Sequence, residues 1–301
     1  MITKDSRILI TGCGGMLGEG VYKQFADKST VLATDIDLNE KWLELLDVRN
    51  KSDVIKTIEE FQPDYIVHLA ALTDMEYCEQ NLPNSYQTNT ESVLFLSHQA
   101  FKRDIPFLYI STAGIFDGES DAYHEHDQPH PLSIYGKSKY FGEVVTKNIP
   151  KSIVIRAGWM MGGGPKKDKK FINKIITQLK DGKKELFVVD DKLGTPCYTY
   201  DLAKSIYYLL DTEQYGVYHG ACDGAASRYD VAEHLLQLLG LSDEVKLTKV
   251  ASDHFKTDYH APRPYSEKLV NNKLKALNPD LTRDWKVCLN EYVNKFDWGV
   301  K

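Results

Sequence analysis

Long apolar runs are missing from this chain. No stretch of its 301 residues approaches the roughly 18 consecutive apolar side chains that a transmembrane helix needs. Near the start, Lys4, Asp5 and Arg7 surround or precede only the short run RILIT, which is too brief for a signal-peptide core. Cysteine is scarce. Cys13, Cys78, Cys197, Cys222 and Cys288 are odd in number, scattered, and form no C-x-x-C pair. That spacing argues against a disulfide framework and against a zinc knuckle, so a reducing, cytoplasmic setting is the expectation. A strong excess of one charge is lacking too. Lys plus Arg is 37 and Asp plus Glu is 43, a net charge of −6. A dedicated binder of nucleic acid or anionic membrane carries a basic excess, so neither partner is expected. No internal repeat or low-complexity tract occurs. The hydrophobic content of 42% suits a packed interior, in one large domain or two sharing a core.

What the chain does have is alternation. Residues 7–11, 30–34, 65–69, 107–111 and 152–156 are short runs rich in β-branched or aromatic side chains and read as buried strands. Helical patterns lie between them near 15–26, 51–61, 83–103 and 134–148. This order predicts an α/β fold with a parallel sheet covered on both faces and right-handed crossovers. After residue 158 a Gly- and Lys-rich loop (158–170) precedes a helix near 170–180 and a strand at 186–190. A helix at 199–211, a strand at 216–219, and helices near 227–239 and 284–296 follow, with HAPRP (260–264) between the last two.

The first strand runs into Thr11-Gly12-Cys13-Gly14-Gly15-Met16-Leu17-Gly18 and then a helix. Glycines 12, 15 and 18 give the spacing G-x-x-G-x-x-G. The first allows a tight turn, the second lets backbone approach a pyrophosphate, and the third lets helix and strand pack closely. The helix N-terminus adds free N–H groups and a positive dipole end. The fold expected is a Rossmann-type doubly wound sheet followed by a smaller C-terminal domain, to which the family resemblance given below assigns substrate binding. Residues 1–160 form the dinucleotide-binding part, 186–220 contribute elements to it, and 161–301 are mainly substrate-binding. Asp35 follows the second strand, where a carboxylate accepts hydrogen bonds from a ribose diol and repels a 2′-phosphate. This favours NAD(H) over NADP(H), unless Asp35 or Asp37 merely caps a turn. Asp47, in LLDVR, is placed to meet the adenine edge or to cap the following helix.

Tyr135-Gly136-Lys137-Ser138-Lys139 is a Y-x-x-x-K string whose i,i+4 spacing puts phenol and ammonium on one helix face. A Lys cation beside a Tyr is expected to lower the phenol's pKa toward the range of efficient proton transfer. Upstream, Thr112 ends a strand at the edge where open α/β sheets bind ligands.

TGCGGMLG, HLAALTDMEYCE, ISTAGIFDG, the Y-x-E-x-D-x-P-x-P string from Tyr123 to Pro131, and YGKSKYFGE together resemble the extended short-chain dehydrogenase/reductase superfamily. More narrowly, the chain is similar to the dTDP-4-dehydrorhamnose reductase family. RAGWMMG (156–162), DKLGTPCYTYDLA (191–203) and PRPYSEKL (262–269) resemble its R-x-x-W, G-x-P-x-x-x-x-D-L-A and R-P-x-x-S-x-x-L segments. The resemblance spans nearly the whole chain. It implies that Tyr135 protonates the C4 oxygen of a keto sugar while the nicotinamide delivers hydride. Lys139 would hold the nicotinamide ribose and Thr112 the substrate carbonyl. Gly12, Gly15, Met16, Leu17, Gly18, Asp35, Asp47, Val48, Ala70 and Ala71 would line the cofactor site with Tyr135 and Lys139. Trp159 and Arg263 would line the substrate site, Arg263 at the pyrophosphate. Asn89 would support the catalytic network, and the superfamily analogy is a homodimer.

The resemblance implies NAD(P)H-dependent reduction of a nucleotide-linked 4-keto-6-deoxy or related sugar, for surface polysaccharide. The alternatives are an epimerase or dehydratase that recycles its NAD, and a non-catalytic NAD(P)-binding regulatory subunit. One departure stands out. The family reads S-T-D-Y-V-F-D-G where this chain has Ser111-Thr112-Ala113-Gly114-Ile115-Phe116-Asp117-Gly118. Lost polar contacts there suggest a sugar other than dehydrorhamnose. His124, His126 and His130 occupy variable positions of the Tyr123–Pro131 string, so no metal is expected. His68 reads as structural, and Lys166, Lys167, Lys169 and Lys170 as a solvated loop near the substrate entrance.

Overall fold

The structure, a computed structural model, describes residues 1–300. Strands β1 (Arg7–Thr11), β2 (Thr30–Asp35), β3 (Leu43–Leu45), β4 (Tyr65–His68), β5 (Phe107–Thr112), β6 (Ser152–Ala157) and β7 (Gly216–Gly220) share one sheet. Their order is β7-β6-β5-β4-β1-β2-β3 and every pairing is parallel. Strand order reverses between β1 and β4, and such a switch point opens a crevice at the carboxyl ends of the strands. The fold is a doubly wound α/β sheet. Ile8 and Ile10 of β1 face a core built with Val21, Phe25, Leu202 and Ile206. Leu9, between them, faces the opposite core with Val54, Ile58, Val93 and Leu96. This is the period-2 alternation of a strand buried on both faces.

A second core joins helix Phe171–Lys180 (Ile172, Ile175, Ile176) to helices Arg228–Leu238 (Val231, Leu235) and Trp285–Lys295 (Leu289, Tyr292). Within 186–220, Gly216–Gly220 is the edge strand β7, and helix Thr199–Asp211 packs on the first core. The strand Glu185–Val189 instead pairs with Lys246–Val250 beside the second core. Two local differences from the sequence reading have plain causes. The first helix starts only at Gly18, because residues 12–17 are spent on the turn. The pattern at 83–103 is not one helix. Leu82–Tyr86 and Ser92–Lys102 flank a π-helical turn, Gln87–Glu91. Strand β3 went unread because it has three residues, only one of them buried.

Helix Ile134–Lys147 is anchored to the sheet by a buried ion pair. Arg156 of β6 donates to Glu143 through Nε (3.1 Å) and Nη2 (2.6 Å) and to the Glu125 carbonyl through Nη1 (3.1 Å). Both side chains are almost wholly buried, at 2% and 0% exposure. Removing one partner strands a charge away from water. Arg156→Met is therefore expected to cost about 3–5 kcal/mol, read as a lower urea midpoint. An unchanged midpoint would show that water or Lys147, 3.9 Å from Glu143, compensates.

Candidate active site

The three glycines divide their labour by geometry. Gly12 has φ +73°, and a methyl group built there would lie 2.2 Å from the Ala70 amide nitrogen. β1 and β4 approach this closely only because Gly12 has no side chain. At Gly18 a methyl group would lie 1.8 Å from the Cys13 carbonyl oxygen, so helix and turn touch directly. At Gly15 it would meet only the Gly12 oxygen, at 3.6 Å. Gly15 thus faces open space, as backbone receiving a ligand must. The Met16 and Leu17 amides take no backbone partner, and helix Gly18–Phe25 has no side-chain cap. These free donors at a helix N-terminus fit a pyrophosphate.

Asp35, at the end of β2, accepts hydrogen bonds from the Gly14 amide (2.8 Å) and the Asp37 amide (2.9 Å). It fastens the glycine turn to β2 while staying partly open to solvent. Asp47 is held by Arg49 Nη2 at 2.6 Å, and that guanidinium lowers its pKa. The cap of the next helix is Asn50, which accepts from the Ser52 and Asp53 amides, so the capping alternative for Asp47 fails. Val48 is buried in the second face of the sheet core. Ala70 and Ala71 follow β4, with Ala70 against Gly12. His68 is fully buried between Thr11 Oγ1 (2.6 Å) and Ser92 Oγ (3.3 Å), and burial pulls its pKa down to about 3. It is a neutral structural ring.

Thr112 and Tyr135 meet over Gly114. A methyl group there would lie 3.5 Å from Thr112 Oγ1 and 3.7 Å from Tyr135 Cε1. Ser133 caps the helix that carries Tyr135 through the Gly136 amide (3.1 Å), and Gly136 lets the helix start against the Gly114 carbonyl, 2.3 Å from its absent methyl. The pKa of Tyr135 does not follow the sequence expectation. Burial pushes it up to about 12, and the Thr112 hydroxyl lowers it without winning. Lys139 does not contribute to that shift, because its ammonium sits over the Tyr109 ring at 4.2 Å. Burial pulls Lys139 itself down to about 7, with Glu143 opposing. Asn89 lies on the π-helical turn, where such irregularity marks functional sites. It holds the Leu72 amide (2.8 Å) and carbonyl (3.0 Å) and donates to Ser138 Oγ at 3.0 Å.

Trp159 and Arg263, the two residues expected to line a substrate site, lie with two that were not expected, Arg228 and Glu267. Trp159 is half-buried, and Arg228 stacks on its ring at 3.8 Å. The Arg228 guanidinium forms no ion pair with the described residues; burial lowers it to about 10, which leaves it charged at neutral pH. Arg263 is less free, since Glu76 holds it at 2.8 Å and the Ala261 carbonyl at 3.0 Å. Glu267 accepts from Trp159 Nε1 at 2.7 Å, and a methyl group on Gly114 would lie 3.5 Å from its Oε1. Counting along R-P-x-x-S from Arg263 puts Glu267, not Ser266, at the serine position. That mismatch was the available signal. The room beside Thr112 is thus occupied by a carboxylate from a distant segment. The lysine loop is only partly a solvated run. Lys167 is buried 3.1 Å from Glu40, Lys166 reaches the same carboxylate, and Lys170 donates to the Thr73 carbonyl at 3.1 Å. The retained Asp117 accepts from the Tyr123 hydroxyl at 2.5 Å, a structural contact. Among the described residues no group of three His, Cys, Asp or Glu is arranged to hold a metal, and no helix is long and apolar enough to cross a membrane.

The family model described as RmlD substrate binding domain matches residues 6–298. A dTDP-4-dehydrorhamnose reductase of Aggregatibacter actinomycetemcomitans is 33% identical over 253 residues, covering 81% of each chain. The spore coat polysaccharide biosynthesis protein SpsK of Bacillus subtilis is 30% identical over 294 residues, covering 96% of this chain and 98% of that one. A dTDP-4-dehydrorhamnose reductase of Bacillus anthracis, solved in complex with NADP, superposes with a TM-score of 0.87 at 27% identity, over 97% of this chain and 100% of that one.

Proposed function

The chain belongs to the RmlD substrate-binding domain family, and from that membership we propose that it reduces a nucleotide-linked 4-keto-6-deoxy sugar with NAD(P)H. The product would serve polysaccharide assembly, as the name of the Bacillus subtilis relative suggests for that protein. The observation that carries the reading is the meeting of Thr112 and Tyr135 over Gly114, on the same sheet edge as the glycine turn. The dinucleotide supplies a hydride when bound. Gly12, Gly15 and the Met16 and Leu17 amides hold its pyrophosphate, and Lys139 holds the nicotinamide ribose. Thr112 orients the substrate carbonyl. Tyr135, which keeps its proton because burial raises its pKa, donates that proton to the carbonyl oxygen as negative charge develops. Arg228, which has no ion pair among the described residues, lies beside Trp159 and takes the sugar nucleotide's pyrophosphate with Arg263.

Two finer points belong to this proposal. Asp35 favours NAD(H), because its charge repels a 2′-phosphate. Ala113 and Gly114 favour a sugar other than dehydrorhamnose, because the Asp and Tyr of the family string are absent. A steady-state survey of dTDP-, UDP-, GDP- and CDP-linked keto sugars with NADH and NADPH tests all three. Stoichiometric cofactor oxidation supports reduction, and conversion without oxidation points to an epimerase or dehydratase. A higher kcat/KM with NADPH overturns the NAD(H) preference. Efficient turnover of dTDP-4-dehydrorhamnose overturns the altered sugar.

A further inference from the structure

Glu267 has one carboxylate oxygen with a task and one without. Oε2 accepts from Trp159 Nε1 at 2.7 Å. Oε1 faces the reacting groups, since the point 3.5 Å from it is also 3.5 Å from Thr112 Oγ1 and 3.7 Å from Tyr135 Cε1. A substrate group resting against the bare Gly114 backbone lies between the carboxylate and the Thr112 hydroxyl. Gly114 makes this possible, because a side chain there would project between the two. The family string has Tyr where Gly114 stands and Ser where Glu267 stands, so a large side chain is lost and another gained at two contacting positions.

An ionised carboxylate only accepts hydrogen bonds, so its partner must be a donor. The carbonyl oxygen is an acceptor and belongs with the hydroxyls of Thr112 and Tyr135. The donor is therefore a neighbouring substituent of the sugar. Burial raises the Glu267 pKa, and the Trp159 hydrogen bond with Arg228, Arg263 and Lys192 favours the charged form against it; we take the carboxylate as charged. The same three cations repel an ammonium group, which leaves a neutral hydroxyl. Resting on the nucleotide-sugar reading above, we propose that Glu267 Oε1 accepts a hydrogen bond from the sugar hydroxyl adjacent to the reacting carbonyl and thereby selects substrates carrying it.

Binding tests this without turnover. The probes are a dTDP-linked 6-deoxyhexose, its 3-deoxy analogue and dTDP alone, titrated by calorimetry into cofactor-loaded protein. Wild type is expected to prefer the hydroxylated sugar about 10- to 100-fold. In Glu267→Gln, the amide oxygen stays on Trp159 and a donor NH2 faces the sugar. That preference is expected to fall to within about threefold, with dTDP affinity unchanged. Rescue of the preference by Glu267→Asp supports the carboxylate's role further. Equal preference in wild type and Glu267→Gln overturns the proposal, as does a wild type with no preference. Equal losses on both sugars and on dTDP also overturn it, because they leave Glu267 only the task of holding Trp159. A wild type that discriminates the hydroxyl yet never oxidises NAD(P)H contradicts the reductase reading and leaves Glu267 in place.

Discussion

Tyr135→Phe lowers the turnover of the reduction by about 10²- to 10⁴-fold and leaves dinucleotide affinity nearly unchanged. Only one oxygen is removed. The ring still packs beside Gly114, and the glycine turn proposed to hold the pyrophosphate is built from other residues. The burial that raises Tyr135 to about 12 has a direction that suits this role. A reductase needs the phenol protonated when the carbonyl oxygen gains charge, and burial keeps it so across neutral pH. The sequence expectation, a phenol pulled toward neutrality by Lys139, suits the reverse reaction better. Turnover is followed by NAD(P)H absorbance, and affinity by quenching of cofactor fluorescence. Wild-type turnover in the variant would remove Tyr135 from the chemistry.

Gly12→Ala has the second large effect, on both binding and stability. The residue sits at φ +73°, and its new methyl group would stand 2.2 Å from the Ala70 nitrogen and 2.3 Å from its Cα. Both contacts are backbone, so no side chain can swing aside. Left-handed strain of about 1–2 kcal/mol joins overpacking of about 1–3 kcal/mol. The strand ends at the switch point must part, and the melting temperature and dinucleotide affinity are expected to fall together. Gly15→Ala is the contrast. Its methyl group meets only one atom, at 3.6 Å, so the fold stands while dinucleotide affinity drops. A Gly12→Ala protein that melts and binds like wild type would contradict this account of the turn.

Features set by local spacing were legible in the chain. The glycine turn, the Y-x-x-x-K pair and the strand ending at Thr112 depend on neighbours within one turn or one strand end. Features set by contact between distant segments were not. Trp159 and Glu267 are 108 positions apart in the sequence, yet they share a hydrogen bond. Arg228 reaches Trp159 from the helix Arg228–Leu238 of the second core, and nothing in its own surroundings in the sequence points to that contact. The sequence offers Arg263 as a candidate cation for the substrate pyrophosphate, but its pairing with Glu76 spans 187 positions and cannot be read from it. The Lys139–Tyr135 coupling failed for another reason. Spacing places two side chains on one face, but burial decides which charge state each keeps, and the Tyr109 ring decides where the ammonium rests.

The central claim is that hydride passes from the nicotinamide to the sugar carbonyl while Tyr135 supplies the proton. Turnover with NAD(P)H deuterated on the transferring face of nicotinamide C4, followed by mass spectrometry and NMR of the product, tests it directly. The account predicts one deuterium on the former carbonyl carbon for each cofactor oxidised. A converted sugar without deuterium, with the cofactor still reduced, would contradict it.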